Sequence, residues 1–235
     1  MKRTLLIVVS MLVFPYLAYC QTDEQKASSL VKKYLSGVLD DAESYEPAGI
    51  EVEALFNTPT LDIDCLDAGK LMTAEEELES EYRQKALDAE KTMNKWMFDV
   101  SSRGLAEYDK AARLYYDNKI SEIKASIRYW EQAKFIKEQS KKLNGKTQVG
   151  WTIAHKFISK DEIGILALSS YTFVADIDFQ TITAAFNNED RETRKAVLNI
   201  DAILKAKDTP EDYDKMIEGL NDTIKTYTEL KAQLQ

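Results

Sequence analysis

One histidine and two cysteines in 235 residues remove whole classes of chemistry at the outset. A histidine-based dyad or a multi-histidine metal site has His155 and no second candidate. Cys20 ends an N-terminal apolar run, so Cys65 is the one thiol in the remainder and a disulfide framework is excluded. Positive charge is also short, with 31 basic against 40 acidic residues and a net charge of −9. A chain so acidic, with its lysines interleaved among Glu and Asp, lacks the basic stripe that displaces counterions from nucleic acid. Finally, no apolar run reaches the roughly 20 residues that span a bilayer.

The N-terminus carries the longest such run. Lys2 and Arg3 precede Leu5 to Leu17, and Ala18-Tyr19-Cys20 follows, which is the charged, apolar and small-residue order of a secretory signal. Residues 1–20 are therefore read as a signal peptide and residues 21–235 as a single folded domain. Ala18 and Cys20 suit cleavage ahead of Gln21. Cys20 after Leu17-Ala18 also matches a lipoprotein box, although the bulky Tyr19 argues for simple cleavage. Lys2 and Arg3 are the only charges in that segment, so its removal takes the formal charge from −9 to −11.

From about Met72 to Leu143 the chain holds two long helical patterns. Tyr82, Ala86, Ala89, Met93, Trp96 and Val100 recur at spacings of four and three, as do Tyr116, Ile120, Ile123, Ile127 and Trp130. Each pattern puts a seam on one helix face, and two seams bury each other in an antiparallel, coiled-coil-like hairpin. Gly104, which tolerates the left-handed conformation of a helix end, is one candidate for its turn; Asp117-Asn118 is the other. Tyr108, Tyr115, Tyr129 and Trp130 are more large aromatics than a two-helix seam buries, unless the C-terminal helices cover them.

The flanks mix strand and helix. Leu30, Val31, Tyr34, Leu35, Val38 and Leu39 mark an amphipathic helix from roughly Asp23 to Leu39. Ile50, Val52 and Ala54 give a weak strand signal, and residues 57–70 read as a connector. Val149, Trp151, Ile153, His155 and Phe157 share one strand face. A second strand is expected from Ile165 to Phe179, antiparallel to it, with Asp176 and Asp178 on the wet face. Further on, Val197, Ile200, Ile203 and Leu204 mark a helix after Asn188, and Thr209-Pro210-Glu211-Asp212 opens another carrying Tyr213, Ile217, Leu220, Ile224 and Tyr227. Asn221-Asp222-Thr223 matches a glycosylation sequon but falls inside that helix.

The candidate chemical groups all have plainer readings. Asp62, Asp64 and Asp67 fail the spacing of a calcium loop, because the sixth position from Asp62 is Asp67 and the twelfth is Thr73. Cys65 sits among Leu61, Ile63 and Leu66 as a small hydrophobe. His155 on an apolar strand face reads as a neutral core histidine, and Asp176 with Asp178 as solvated acids. An enzyme would need at least two of these groups beside one cleft.

Three stretches together resemble a group of small exported proteins of gut Bacteroidetes. They are Val31-Lys32-Lys33-Tyr34-Leu35 with Leu39-Asp40-Asp41-Ala42-Glu43-Ser44-Tyr45-Glu46-Pro47; Gly150-Trp151-Thr152-Ile153-Ala154-His155-Lys156-Phe157; and Tyr171-Thr172-Phe173 through Asp176-Ile177-Asp178-Phe179. The first is similar to the group's "YL, then L-N-D-P-D-S-Y-E-P" opening and the second to its "G-W-x-x-x-H-x-F-R" strand. Ile158 stands where that group has Arg, and its Asn-containing turn keeps only Gly164. The resemblance implies an exported location and an α+β core, and no activity.

The sequence thus predicts an α+β protein: a small antiparallel sheet backed by the N-terminal helix, a long antiparallel helical hairpin at about 72–143, and a C-terminal helical pair. No catalytic, cofactor-binding or metal-binding set is expected. The expected function is that of an exported, non-enzymatic protein-interaction module, periplasmic or extracellular, contacting another envelope protein through the hairpin. The alternative is a small-ligand or glycan-binding module, with an outer-membrane lipoprotein anchored through Cys20 as the alternative location.

Overall fold

The computed structural model describes residues 21–143, 145–161 and 163–234, so the expected signal segment and Cys20 lie outside the described residues. The architecture is α+β, and the described residues form five α-helices and a four-stranded antiparallel sheet whose strands lie in chain order. They divide into two compact units. One, the sheet unit, takes the chain up to Asn57 together with Gly145 to Asp190; the other, the helical unit, takes Thr58 to Leu143 together with the chain from Arg191 onward.

In the sheet unit, α1 (Asp23–Leu35) starts at a Thr22 capping box with Gln25 and lays Ala27, Leu30, Val31 and Leu35 on the sheet. It ends before Leu39, earlier than the periodicity predicts, in a turn that leads to Asp41 and Ser44. The weak strand signal is a full edge strand, β1 (Glu46–Phe56), paired with β2 (Gln148–Lys160). Alternation places Ile153, His155 and Phe157 of β2 beside Phe173 and Ala175 of β3 (Leu166–Ala175), all facing α1.

The second of the expected strands stops at Ala175 rather than Phe179. Asp176 accepts from the backbone N–H of Gln180 and of Thr181 and from the Thr181 hydroxyl, which turns the chain into β4 (Ile182–Asn187). Asp176 and Asp178 therefore belong to a turn, not to the wet face of a strand. β4 is absent from the sequence-based expectation because its Ala184, Ala185 and Asn187 carry little strand preference.

In the helical unit, α2 (Ile63–Trp96) begins well before the hairpin start expected near Met72. Asp62 caps it by accepting from the Cys65 N–H at 3.0 Å, and the supposed connector buries Cys65, Leu66 and Ala68. This segment packs on α4 (Arg191–Lys205), where a Cβ at Gly69 would lie 2.8 Å from the Ala196 carbonyl oxygen. Only glycine allows that approach. Asn199 donates to Thr73 at 3.0 Å beside it.

The turn of the hairpin lies at residues 97–101, ahead of both sequence-based candidates, and Asp117-Asn118 is inside the continuous helix α3 (Ser102–Lys142). Gly104 is not a helix end. It sits in the first turn of α3, donates its N–H to the Ser101 cap, and leaves space for Asp99, whose backbone and side chain a Cβ there would strike. Val100 falls in the turn and leaves the seam.

The seams also pair differently from expectation. Across the hairpin Arg83 meets Glu122 at 3.0 Å and Arg128 meets Glu75 at 2.7 Å, so the α3 face toward α2 carries Glu122, not the Tyr116–Trp130 stripe. That stripe meets α5 (Pro210–Ala232): Tyr116 lies 5.9 Å from Tyr227 and Trp130 stacks on Tyr213 at 5.7 Å. α3 also holds α4, since Lys137 donates to the Ile203 and Ala206 carbonyls at the helix end.

Tyr213 is wholly buried and its hydroxyl has no hydrogen-bond partner among the described residues. Removing that oxygen while keeping the ring is expected to leave stability unchanged or raise it by up to about 1 kcal/mol, whereas Tyr213→Ala loses roughly 3–5 kcal/mol. Chemical denaturation of Tyr213→Phe and Tyr213→Ala measures both.

Candidate functional site

The groups that a catalytic reading would recruit are each engaged elsewhere. His155 is 2 % exposed, its Nε2 lies 2.9 Å from the Tyr45 hydroxyl, and its ring stacks on Phe157 at 5.5 Å. Burial holds its pKa below the ordinary value of 6.5, with the Gly49 backbone pulling the other way. Cys65 is fully buried, and desolvation, then the Asp62 and Asp64 carboxylates, push its thiol up to about 12. Such a thiol stays protonated and unreactive at neutral pH.

Asp176 and Asp62 are likewise hydrogen-bonded within their own turn and helix cap. Hydrogen bonds from the Gln180 N–H, then from Thr181, hold Asp176 below the usual carboxylate range. Asp62 is a helix cap, and among the described residues no group of three or more His, Cys, Asp or Glu is placed to hold a metal. His155 and Asp176 belong to the sheet unit and Cys65 to the helical unit. No helix among the described residues is long and apolar enough to cross a membrane.

The hairpin aromatics named from the sequence are half-buried. α5 runs antiparallel to α3 and covers Tyr116 and Trp130, with Tyr129 edge-on to Trp130 at 5.0 Å. Its reach ends where Arg113 donates to the Leu234 carbonyl at 2.6 Å and Lys231 pairs with Asp117. Beyond Arg113, α3 continues toward the turn for about 16 Å at roughly 1.5 Å per residue, paired with α2.

The end of that two-helix segment is apolar and open. Phe98 is 87 % exposed and Val100 88 %, with Met97 at 47 % and Leu105 at 55 % beside them. Next to them the Trp96 ring has the Lys95 ammonium 5.1 Å and the Arg103 guanidinium 6.0 Å from its centre. The sequence pattern hides part of this cluster, because Val100 continues the four-three spacing of α2. The signal that could have found it is Asp99 with Ser101-Ser102, a turn and cap combination that places the neighbouring apolar residues at an apex.

Between the same two helices lies an open groove of about 620 Å³, lined by Lys85, Asp88, Ala89, Glu107, Lys110 and Leu114 among others. A second groove of about 720 Å³, nearer the base, brings Tyr129 and Trp130 together with Glu76, Glu79 and Arg83.

The buried ring of His155 has a pH consequence. Its folded pKa lies below its unfolded one, so the unfolded chain binds more protons in acid. The stability that the neutral ring contributes is fully present above about pH 6.5, declines below it, and is lost as pH falls through the folded pKa. Unfolding measured from about pH 8 to 5 is expected to show that loss, and a His155→Gln protein to show a flatter profile over the same range. Compared with protein-family models, curated proteins and solved structures, the chain matches none of them.

Proposed function

We propose that this is an exported cell-envelope protein that works by docking rather than by catalysis, and that the end of its helical hairpin is the docking element for another envelope protein. The observation that carries this reading is the exposed cluster of Phe98, Val100, Met97 and Leu105 at the apex. Exposed single apolar residues are ordinary, but a contiguous group on a projecting turn marks an interaction surface, and aromatic and methionine side chains anchor such contacts. The engagement of His155 with Tyr45, the burial of Cys65 and the turn role of Asp176 support the non-catalytic part. The export part rests on the signal-like N-terminus and on the resemblance of the sheet-unit motifs to exported proteins.

A second reading, binding of a glycan or other small ligand, is favoured by the groove that sets Tyr129 and Trp130 beside Glu76 and Glu79. Aromatic faces with flanking carboxylates suit a hydroxyl-rich ligand. Quenching or a shift of tryptophan fluorescence on glycan titration, abolished by Trp130→Ala, would mark this groove as the binding site instead.

The docking reading is tested at Phe98 and Val100. Both side chains stand in solvent, so Phe98→Ser with Val100→Ser is expected to change unfolding free energy by no more than about 0.5 kcal/mol. The same double variant is expected to lose the protein that crosslinks to the native chain in the envelope. Unchanged crosslinking with an intact fold sinks the reading.

A further inference from the structure

We propose that the groove between α2 and α3 lined by Lys85, Asp88, Lys110 and Glu107 is a self-association surface that takes a second copy of this chain in antiparallel, two-fold fashion. The proposal rests on the reading of the hairpin as an interaction element, but it uses the groove and not the apex.

The order of charges along the groove is self-complementary. Glu75 faces Arg128 and Arg83 faces Glu122, which sets the antiparallel register of α2 and α3. Extended along the hairpin, the first of these pairs sets Lys85 level with Asn118, Asp88 with Tyr115, Lys110 with Met93 and Glu107 with Trp96. From base to apex the groove therefore presents Lys85, Asp88, Lys110 and Glu107, which is plus, minus, plus, minus. Between the inner two lie Ala89, Ala111 and the 55 % exposed Leu114, an apolar centre with small residues that let another helix approach.

A two-fold axis that lies in the interface and crosses the hairpin at right angles through that centre brings two such grooves face to face. It sets Lys85 level with Glu107 of the second copy and Asp88 level with its Lys110, so that these long side chains meet over the groove. Each contact occurs twice, as an isologous interface requires. A parallel arrangement would set Lys85 level with Lys85 and Glu107 with Glu107, so the same charges select one orientation and reject the other. Existing partners do not block this. Lys85 pairs with Glu81, and Asp88 with Lys91 at 2.9 Å, on the surface of a single helix, where such pairs are weak and exchange readily.

Sedimentation equilibrium of the full chain over a wide concentration range tests the proposal. The native protein is expected to dimerise reversibly, more weakly as salt rises. Lys85→Glu alone and Glu107→Lys alone each place like charges together twice, and each is expected to weaken the dimer by at least about tenfold. The double variant K85E with E107K restores opposite charges at both contacts and is expected to recover most of the native association. Circular dichroism on each variant checks that the helices persist. A chain that stays monomeric, single variants that associate like the native protein, or a double variant that fails to recover would each overturn the dimer. A monomer that still loses its crosslinked partner on replacement of Phe98 and Val100 removes the dimer and keeps the docking reading. A dimer that shows the rescue, in a chain with no apex-dependent partner, does the reverse.

Discussion

The helical unit depends on one helix being buried on two sides. α3 is long and rich in charge, and a helix of that composition gains its stability from packing rather than from propensity. The face that carries Ala111, Asn118, Glu122 and Ala125 lies toward α2. The face that carries Tyr116 and Trp130 meets α5. Because α5 is shorter than α3, it stops at Arg113 and the hairpin goes on without it.

A nearly buried carboxylate inside a helix pair is costly unless it is paired, and Glu122 is paired twice, with Arg83 at 3.0 Å and Lys119 at 2.7 Å. Sliding α2 by a turn along α3 would separate Arg83 from Glu122 and Arg128 from Glu75 together. Small alanines such as Ala86, Ala89, Ala111 and Ala125 discriminate poorly between registers. The ion pairs therefore set the relative positions of groove charges that originate on two different helices, linking the interior of the hairpin to the surface it offers.

The sheet unit uses a different device. Its core is one face of an antiparallel meander closed by α1, and the rings of Tyr45, His155, Phe157, Tyr171 and Phe173 form a chain along it in which neighbouring centres are no more than 6.5 Å apart. The Tyr45 hydroxyl satisfies one nitrogen of His155, so the polar ring behaves as a member of an aromatic stack. A lone histidine thereby sits in an apolar core with a tyrosine hydroxyl as its hydrogen-bond partner.

What was legible in the sequence was whatever is encoded locally. Alternation at Trp151, Ile153, His155 and Phe157 specifies a strand and its buried face, and Thr209-Pro210 with Asp212 specifies a helix start, because each depends on neighbours within one turn or one pleat. The α+β class and the hairpin follow from such patterns. Tertiary structure alone decided which stripe of α3 meets which helix, since a four-three seam looks the same whichever partner covers it. It also decided that Ile63 to Leu71 is helix, because its stabilising contact is α4, far away in sequence. The exposure of Val100 was settled in the same way: its four-three spacing reads as seam until the end of α2 at Trp96 puts it in the turn.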